Sequence, residues 1–454
     1  DKQNPYQTEK PFNWIRTDVV GGRSLVWGRQ TYRWSQQDFA ANQRDGHGIP
    51  WPIGYDDIAP WYSYVEKFIG VSGEKLGLDE LPDSEFLPPM GMHKIEETIR
   101  GRLKRKAPDV NLTIGRTAVL TQNHNGRAAC HYCGPCHRGC STGSYFSSQS
   151  ATLPAATATG NMTLRPNSVV EKLVLDSETG KVSEVRVIDS QTGERLRFRS
   201  RLVFLCASTV GSTQLLLNSA SEAFPNGLAN RSGALGRYLM DHVHGVASMG
   251  IFLDDMDSYW YGNRPNGTYI PRFRNLPGQE DQSDFVRGYG IQGNVVRMNW
   301  KVNYHRKGFG ASLKDSLRKP GPWVWAMAVF AECLPDKRNH LYLHPNKRDR
   351  FGIPQVVFDA QWRENEYKLL NLKQHQIDSP VGGAVHEMGT ARMGNDPAEA
   401  VLNAHNQAHD VPNLFVTDGA CMTSASCVNP SLTYMALTAR ACDYAVKQMQ
   451  AGVL

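Results

Sequence analysis

The hydrophobic and polar positions of the chain alternate between strand-like and helix-like spacing. Residues 161–205 contain short strand patterns separated by Gly-containing turns, and they end in the apolar run 202–206. A second apolar run, Leu414–Val416, predicts a buried strand that stops at the Asp418-Gly419 turn. From Leu432 onward, apolar residues recur at helical spacing. The pattern as a whole predicts an α/β fold of mixed α+β character.

Other segments have shorter patterns. Asp56 or Asp57 can cap a helix that begins at Ile58. The segment LGRYLMDH at 235–242 resembles a capped helix end. From 245 to about 375, aromatic and strand-like runs without helix–strand alternation predict an antiparallel sheet. We interpret this region as a substrate-binding domain.

The composition excludes some classes of protein. The 454 residues carry a formal net charge of +6 and the basic residues are scattered, so the pattern indicates a solvated surface and argues against nucleic-acid binding. The sequence has no run of about 18 apolar residues, so we predict no transmembrane segment. The chain opens DKQNPYQTEK, with neither a start methionine nor the apolar core of a signal peptide, and we expect the true N-terminus to be missing.

Two polar side chains near the C-terminus are candidates for chemistry. His386 opens HEMGTARMG and Asn429 lies in CVNPSLTY, so they end two turn-like segments joined by a short apolar strand. Both could face one small-molecule pocket. Pro430 suits the first turn of the following helix, where exposed peptide N–H groups would face a ligand. The alternatives are a satisfied core histidine for His386 and a helix cap for Asn429.

Two turns are candidate ligand cradles. In GGRSLVWG, Gly21, Gly22, Ser24 and Gly28 lie in a run whose backbone can approach a flat or phosphorylated ligand, although a tight turn before a strand is the alternative. The segment ASTVGST at 207–213 follows an apolar strand and opens a helix. The N-terminus of that helix suits an anionic or dinucleotide ligand.

Four cysteines lie close together in the sequence. Cys130, Cys133, Cys136 and Cys140 have the spacing C-x2-C-x2-C-x3-C, which is typical of ferredoxin-type iron–sulfur ligands, although Ser141 stands where that run has proline. Zinc, two local disulfides and free thiols are the alternatives. The short spacings strain disulfide geometry, and zinc sites more often pair two distant CxxC units.

Together these motifs resemble the glucose–methanol–choline (GMC) flavoprotein oxidoreductases. GGRSLVWG resembles the family's Gly-rich flavin segment, ASTVGSTQLLLNSA its second signature, and HEMGTARMG, NLFVTDGA and CVNPSLTYMAL its C-terminal catalytic block. The resemblance implies an FAD-binding domain at 1–45, 115–240 and 376–454. It implies that this domain is interleaved with an antiparallel-sheet substrate-binding domain at 46–114 and 241–375.

The resemblance also implies roles for single residues. His386 would take the hydroxyl proton of an alcohol, and Asn429 would orient that alcohol towards the flavin. Val26, just before Trp27, stands where some oxidases that resemble this family carry a flavin-linked His, so non-covalent FAD is expected. The residues expected to bind FAD are Gly21, Gly22, Ser24, Gly28, Ser208, Thr209, Asp418, Gly419 and Pro430.

One family element has no counterpart in the sequence. The family begins with a strand and a Gly-x-Gly-x-x-Gly turn that binds the dinucleotide pyrophosphate, and neither is found here. We expect a βαβ unit of ~30 residues upstream of Asp1 to complete the FAD-binding domain.

The cysteine run resembles that of bacterial sugar and polyol dehydrogenases of this family. There it holds an iron–sulfur cluster between the flavin and an external acceptor such as a cytochrome c. The resemblance implies a [3Fe–4S] or [4Fe–4S] cluster at the four cysteines and a small companion subunit. By analogy it also implies a periplasmic location, with the cytoplasm as the alternative.

The predicted function is that of an FAD-dependent dehydrogenase that oxidises a secondary alcohol of a sugar or glycoside at carbon 3. The alternatives are a sugar oxidase, a gluconate or polyol dehydrogenase, and a non-catalytic electron-transfer or interaction subunit. Tyr259, Trp260 and Tyr261 could stack on sugar faces, and ordinary packing is the alternative reading of these aromatic residues.

Overall fold

The computed structural model describes residues 4–244, 246–260, 262–279, 284–298, 308–318, 321–370 and 379–454. Its helices are α1 (Gln36–Asp45), α2 (Tyr55–Ile69), α3 (Lys94–Lys106), α4 (Thr152–Ala158), α5 (Thr209–Asn218), α6 (Gly310–Arg318), α7 (Glu364–Leu369) and α8 (Ser431–Gln450). Its strands are β1 (Gln7–Thr8), β2 (Thr113–Ile114), β3 (Ser168–Leu175), β4 (Val182–Asp189), β5 (Arg195–Phe198), β6 (Val203–Leu205), β7 (Ala247–Phe252), β8 (Thr268–Ile270), β9 (Tyr289–Arg297), β10 (Trp323–Ala331), β11 (His340–Arg348), β12 (Pro354–Asp359) and β13 (Leu414–Val416).

Strands β6 and β13 form a parallel pair. Val203 lies opposite Leu414 and Leu205 opposite Val416, so segments far apart in the sequence meet here. Both strands match the apolar runs predicted from the sequence. Because they run in parallel, the start of α5 and the turn after β13 emerge at the same edge. That edge is where open α/β sheets bind their ligands.

The remaining strands form mainly antiparallel sheets. The hairpins predicted at 161–205 are confirmed as the sheet β3-β4-β5. A five-stranded antiparallel sheet has the order β2-β8-β9-β10-β7. The sheet predicted from 245 to about 375 is therefore confirmed for its first part only. Strands β11 and β12 belong to another sheet, in which β12 also pairs in parallel with β1.

The main apolar core includes the faces of α2 and α8, which pack against each other. The Tyr62 hydroxyl lies 2.8 Å from that of Thr433 in the first turn of α8. The Trp34 indole N–H donates to the Val428 carbonyl at 3.1 Å. These contacts tie the segment just before α8 to the core, and that segment carries Asn429.

The helix end predicted at 235–242 is wrong. The stretch is irregular and extended, and Met240 bridges Met388 in antiparallel fashion. Tyr238 has φ +60°, which a helix does not accommodate. The His386 segment, distant in sequence, therefore determines the conformation of this stretch.

Helix α2 begins at Tyr55, three residues before the predicted start at Ile58. The Asp57 carboxylate does take part in capping, because it accepts the Gly54 N–H at 2.8 Å. Among the described residues, no helix is both long enough and apolar enough to cross a bilayer.

Candidate active site

A buried carboxylate shapes the loop that carries His386. Asp241 accepts backbone N–H groups from Gly382 at 2.8 Å, Ala384 at 3.1 Å and His386 at 3.0 Å. Burial, with a smaller effect of Glu387, raises the pKa of Asp241 to about 7, although hydrogen bonds from the backbones of His386, Ala384 and His242 oppose that rise. Three backbone N–H groups of this loop therefore donate to one side chain of the stretch 235–242.

Arg23 holds the residues on both sides of His386. Its guanidinium donates to Glu387 Oε2 at 2.6 Å and to the Val385 carbonyl. Val385 has φ +62°, a value that is unusual for a β-branched residue. Backbone strain of this kind persists where surrounding contacts over-determine it, and such contacts are often found at active sites. Arg23 therefore joins the Gly-rich segment to the loop that carries His386.

His386 forms a pair with a second histidine. Its Nδ1 lies 3.0 Å from Nδ1 of His242, and Nε2 of His242 lies 3.2 Å from the Ala425 carbonyl oxygen. Burial lowers the pKa of His386 well below its ordinary value, and His242 and Arg23 lower it further. Burial lowers the pKa of His242 to about 4. Both rings are therefore neutral near pH 7.

Asn429 completes the group. Its amide nitrogen lies 3.4 Å from His386 Nε2. Its amide oxygen accepts from Gln292 Nε2 at 2.5 Å. Gln292 belongs to β9, so the five-stranded sheet contributes directly to the site. The two residues predicted to act together do meet, with Nε2 of His386 on the Asn429 side.

Buried charges brace the loop between Ala425 and Asn429. Ser426 has φ +54° and is fully buried. Its N–H donates to Glu332 at 2.9 Å and its hydroxyl donates to Asp38 at 2.8 Å. Arg287 lies 2.7 Å from Glu332, and Arg272 lies 2.6 Å from Asp38. The loop geometry thus depends on ion pairs that water does not reach.

The Gly-rich segment forms a short 3-10 turn at Gly22–Leu25. Gly21 has φ +97° and Gly22 has φ +48°, values that favour glycine. The Ser24 hydroxyl donates to the Gly21 carbonyl at 2.6 Å and lies 2.9 Å from that of Ser148. Gly28 lies just after the turn, where an added Cβ would meet only the Gln30 side chain at 3.9 Å.

The helix α5 starts beside the turn after β13. Ser208, its N-cap, has φ 65° and ψ 162°, a region that is otherwise nearly restricted to glycine. The Thr209 hydroxyl donates to the Glu387 carbonyl. A Cβ on Gly419 would lie 2.3 Å from that hydroxyl, so the segments touch with no space for a side chain.

Asp418 and Pro430 have structural contacts of their own. Asp418 accepts from the Ser212 hydroxyl and from the Ala420 N–H, the latter at 2.9 Å. Burial raises its pKa to about 6. Pro430 is the N-cap of α8 and not a residue of its first turn. Asp418 therefore links α5 to the turn after β13.

Several features of this region fit a bound flavin dinucleotide. No side chain caps α5, so its first-turn N–H groups are available to an anionic group. Gly22 has nothing within 4 Å of an added Cβ, which leaves its backbone open to a ligand. Within the described ranges, Glu387 Oε1 and Trp27 Nε1 are buried without a hydrogen-bond partner. A ligand with donors and acceptors would satisfy such atoms.

The four clustered cysteines line one cavity, whose volume of about 350 Å³ includes open solvent. All four are free thiols, so the disulfide alternative is not observed. Backbone N–H groups lie 3.4 Å from the Cys130 sulfur and 3.5 Å from the Cys140 sulfur. Burial would raise the pKa of Cys140, but hydrogen bonds from Thr142 and the backbone outweigh it and lower that pKa.

The same cavity does not form a site for one metal ion. In the part of the chain that the structure describes, no three His, Cys, Asp or Glu side chains lie close enough to hold a single ion. A polynuclear cluster requires a different ligand geometry, because its thiolates bind separate irons and are spread around the cluster. The four thiols that line the cavity are the ligand type that such a cluster takes.

The aromatic run at 259–261 has two described residues, and its suggested stacking on sugar faces stays a prediction. Trp260 packs edge-on against His93 with ring centres 4.4 Å apart, which is ordinary core packing. Tyr259 is 76% exposed. Tyr261 lies outside the described residues.

The sequence reading missed Arg23, Asp241, His242 and Gln292. Asp241 and His242 lie in the segment that the sequence pattern assigns to a helix end. The only local feature that points to a functional role is the acidic residue next to a histidine. The sequence has no feature that points to Gln292, because a glutamine in an apolar strand pattern has no distinctive spacing. Each of these residues acts through a partner more than a hundred positions away.

The chain is similar to known proteins over nearly its whole length. Models of the GMC oxidoreductase family match residues 6–244 and 355–438. A 2-methyl-1,2-propanediol dehydrogenase of Mycolicibacterium austroafricanum is 30% identical, with 94% of this chain and 80% of that protein covered. The fructose dehydrogenase large subunit of Gluconobacter japonicus is 24% identical, with 95% and 81% covered.

The fold also matches a solved structure. Pyridoxine 4-oxidase from Mesorbium loti superimposes with a TM-score of 0.57 at 14% identity, over 98% of this chain and 88% of that one. The mixed α/β fold and the family resemblance predicted from the sequence are confirmed, whereas the expected upstream Gly-x-Gly-x-x-Gly unit stays a prediction. The chain belongs to the GMC oxidoreductase family and is an FAD-dependent oxidoreductase that acts on CH–OH groups.

Proposed function

We propose that the protein is a dehydrogenase that oxidises a secondary alcohol of a sugar or glycoside, such as the hydroxyl at carbon 3. The observation that carries this proposal is the pairing of a neutral His386 with the amide of Asn429, whose atoms lie 3.4 Å apart. A neutral imidazole and an amide donor together match an alcohol oxygen that is losing its proton. The similarity to a fructose dehydrogenase subunit supports the sugar class.

The proposed chemistry assigns one task to each side chain. The substrate oxygen contacts both side chains, so that Asn429 donates a hydrogen bond to it and His386 Nε2 accepts the hydroxyl proton. The C–O bond becomes a carbonyl as the carbon loses hydride. FAD, when bound by the segments at 21–28, 208–209, 418–419 and 430, supplies the hydride acceptor. Arg23 and Asp241 hold the base in place during this step.

The substrate class can be tested by anaerobic bleaching of the flavin absorbance. The panel would contain pyranosides, fructose, gluconate and 2-methyl-1,2-propanediol, with deoxy sugars that lack one hydroxyl as matched controls. We expect pyranosides to reduce the flavin and the 3-deoxy analogue to fail. The 30% identity to a diol dehydrogenase makes an acyclic diol the second candidate. Reduction by the diol alone would exclude the sugar proposal.

The acceptor can be tested with the same protein. A dehydrogenase should re-oxidise rapidly with a one-electron acceptor such as cytochrome c and slowly with air. An oxidase would show the opposite order, and a non-catalytic subunit would show no substrate-dependent bleaching.

We propose that Cys130, Cys133, Cys136 and Cys140 hold an iron–sulfur cluster. The shared cavity, the free thiols and the backbone N–H groups directed at two sulfurs support this proposal. Such a cluster, when bound, supplies one-electron transfer, which a dehydrogenase needs for an acceptor like cytochrome c. A companion subunit is also proposed, since the similar fructose dehydrogenase chain is itself named a large subunit.

The cysteine cavity gives a separate prediction. Cys136→Ser should remove iron and acid-labile sulfide from anaerobically purified protein and slow cytochrome c reduction, because a ligand is lost. Flavin reduction by substrate should be unchanged. Cys442→Ser is the matched control, since that thiol is exposed on α8, and it should keep full iron. Wild-type protein with neither iron nor sulfide would exclude the cluster.

A further inference from the structure

The hydrogen bonds around His386 form a continuous line whose donors and acceptors can be worked out. The line runs from the Ala425 carbonyl through His242 and His386 to Asn429 and then Gln292, with successive separations of 3.2, 3.0, 3.4 and 2.5 Å. Imidazole nitrogens and side-chain amides can each reverse their roles. A backbone carbonyl cannot, because it only accepts.

The carbonyl therefore determines the order of the whole line. His242 Nε2 must carry the hydrogen that it donates to Ala425. In a neutral ring its Nδ1 is then an acceptor, so the donor across the 3.0 Å contact is His386 Nδ1. This leaves the lone pair of His386 on Nε2, which faces the Asn429 amide. If donors and acceptors were exchanged along the line, an unprotonated His242 nitrogen would face the Ala425 carbonyl oxygen. Both atoms are acceptors, so they would repel each other.

We propose that His242 is a positioning residue that holds His386 in the tautomer with hydrogen on Nδ1, which leaves Nε2 free to take the substrate proton. The proposal rests on the proposed role of His386 as the base. A histidine in the other tautomer would present N–H to the alcohol and could not accept its proton. Gln292 acts at the other end of the line by turning the Asn429 oxygen away, so that the amide N–H₂ faces the reacting oxygen.

The surroundings of the histidine pair favour this arrangement. His242 is fully buried, and its ring lies edge-on to that of His386 with centres 4.9 Å apart. The other titratable or charged groups near the pair are His244, Arg23, Glu387 and Asp241. Arg23 and Glu387 pair with each other at 2.6 Å, and the Asp241 carboxylate is used by backbone N–H groups. None of these four has a hydrogen bond to either ring among the described residues.

The tautomer can be read directly by ¹⁵N nuclear magnetic resonance of the holoenzyme with ring-labelled histidine. We expect the His386 ring to carry hydrogen on Nδ1 and none on Nε2 at pH 7.5, with its signals assigned by their loss in His386→Gln. Hydrogen on Nε2 would overturn the proposal. Because this measurement needs no substrate, it tests the tautomer even if the proposed sugar substrate proves wrong.

Two substitutions test the positioning role by activity. In His242→Leu the Nδ1 acceptor is lost and His386 can populate both tautomers, so we expect flavin reduction to slow by about tenfold or more at unchanged substrate affinity. In His242→Asn the amide oxygen can replace Nδ1 as acceptor, and most of the rate should return. The Nε2-protonated form of His386 should appear in the spectrum of the Leu variant only.

His409→Leu is the control, because His409 is part-buried and, like His242, contacts a backbone carbonyl, that of Gly394, at 3.0 Å. It should react at the wild-type rate. An unchanged rate and spectrum in His242→Leu would overturn the proposal, as would equal losses in the Leu and Asn variants. If the Leu variant does not retain flavin, the wild-type spectrum and the Asn variant decide the question.

Discussion

His386→Ala is expected to slow flavin reduction by the substrate about a hundredfold or more, as expected for loss of a general base. The bound flavin should remain, because the segments that would hold it do not depend on the imidazole. Rapid-mixing absorbance under anaerobic conditions measures the rate directly. His409→Ala, which removes a histidine remote from Asn429, should have no effect on it.

The pH dependence gives a second measure of the same residue. A base works when unprotonated, and burial holds the pKa of His386 well below the ordinary 6.5. The imidazole itself should therefore stay unprotonated as the pH falls from 8 through 6.5, and a decline of the rate of flavin reduction within that range would report Asp241, whose pKa is raised to about 7. A His386→Ala variant that reacts at the wild-type rate would contradict the assignment of the base.

Arg287→Met should lower the free energy of unfolding by roughly 3–5 kcal/mol, the usual cost of removing one partner of a buried ion pair. Arg287 is fully buried and pairs with Glu332 at 2.7 Å and with Asp45. Methionine fills much of the space but leaves Asp45 without its cation and Glu332 with only the more distant Arg272, at 3.5 Å. Urea unfolding at a constant flavin concentration measures the loss.

Arg338→Met is the matched control for this substitution. Arg338 also pairs with a carboxylate, that of Asp336, but its side chain is 71% exposed. Exposed pairs contribute only about 0–1 kcal/mol, so little change is expected. Equal losses in the two variants would show that burial of the Arg287 network does not matter. Because Glu332 also accepts the Ser426 N–H, Arg287→Met should in addition slow flavin reduction by shifting the loop that carries Asn429.

Much of the architecture follows from local patterns in the sequence. The strands at 202–206 and 414–416 were predictable because short apolar runs bounded by turn residues have few alternatives. The hairpins at 161–205 were predictable because alternation and Gly turns are both local signals. The segment 235–242 was misread, since its conformation depends on Met388 and on a carboxylate that gathers distant N–H groups.

In the candidate site, too, some features could be predicted from the sequence and others depend on the fold. His386 and Asn429 could be chosen from the sequence because each lies in a compact, polar, Gly-rich or Pro-containing turn. The contact between them could not be predicted from the sequence, because 43 residues separate them and the contact depends on how α8 packs. The cysteine spacing predicts a cluster, but only the fold shows that the four thiols share a cavity and are free.

By itself, the sequence determined the family and the flavin chemistry, and it predicted the two residues proposed to act on the alcohol. Those properties depend on residue types at short spacings, which a chain displays before it folds. The tertiary structure decided which atoms of these residues and their partners face one another. His242 lies 144 positions from His386, and Gln292 lies 137 from Asn429. A hydrogen bond has a direction only once both partners are in place, so the ordering of this network exists only in the folded protein.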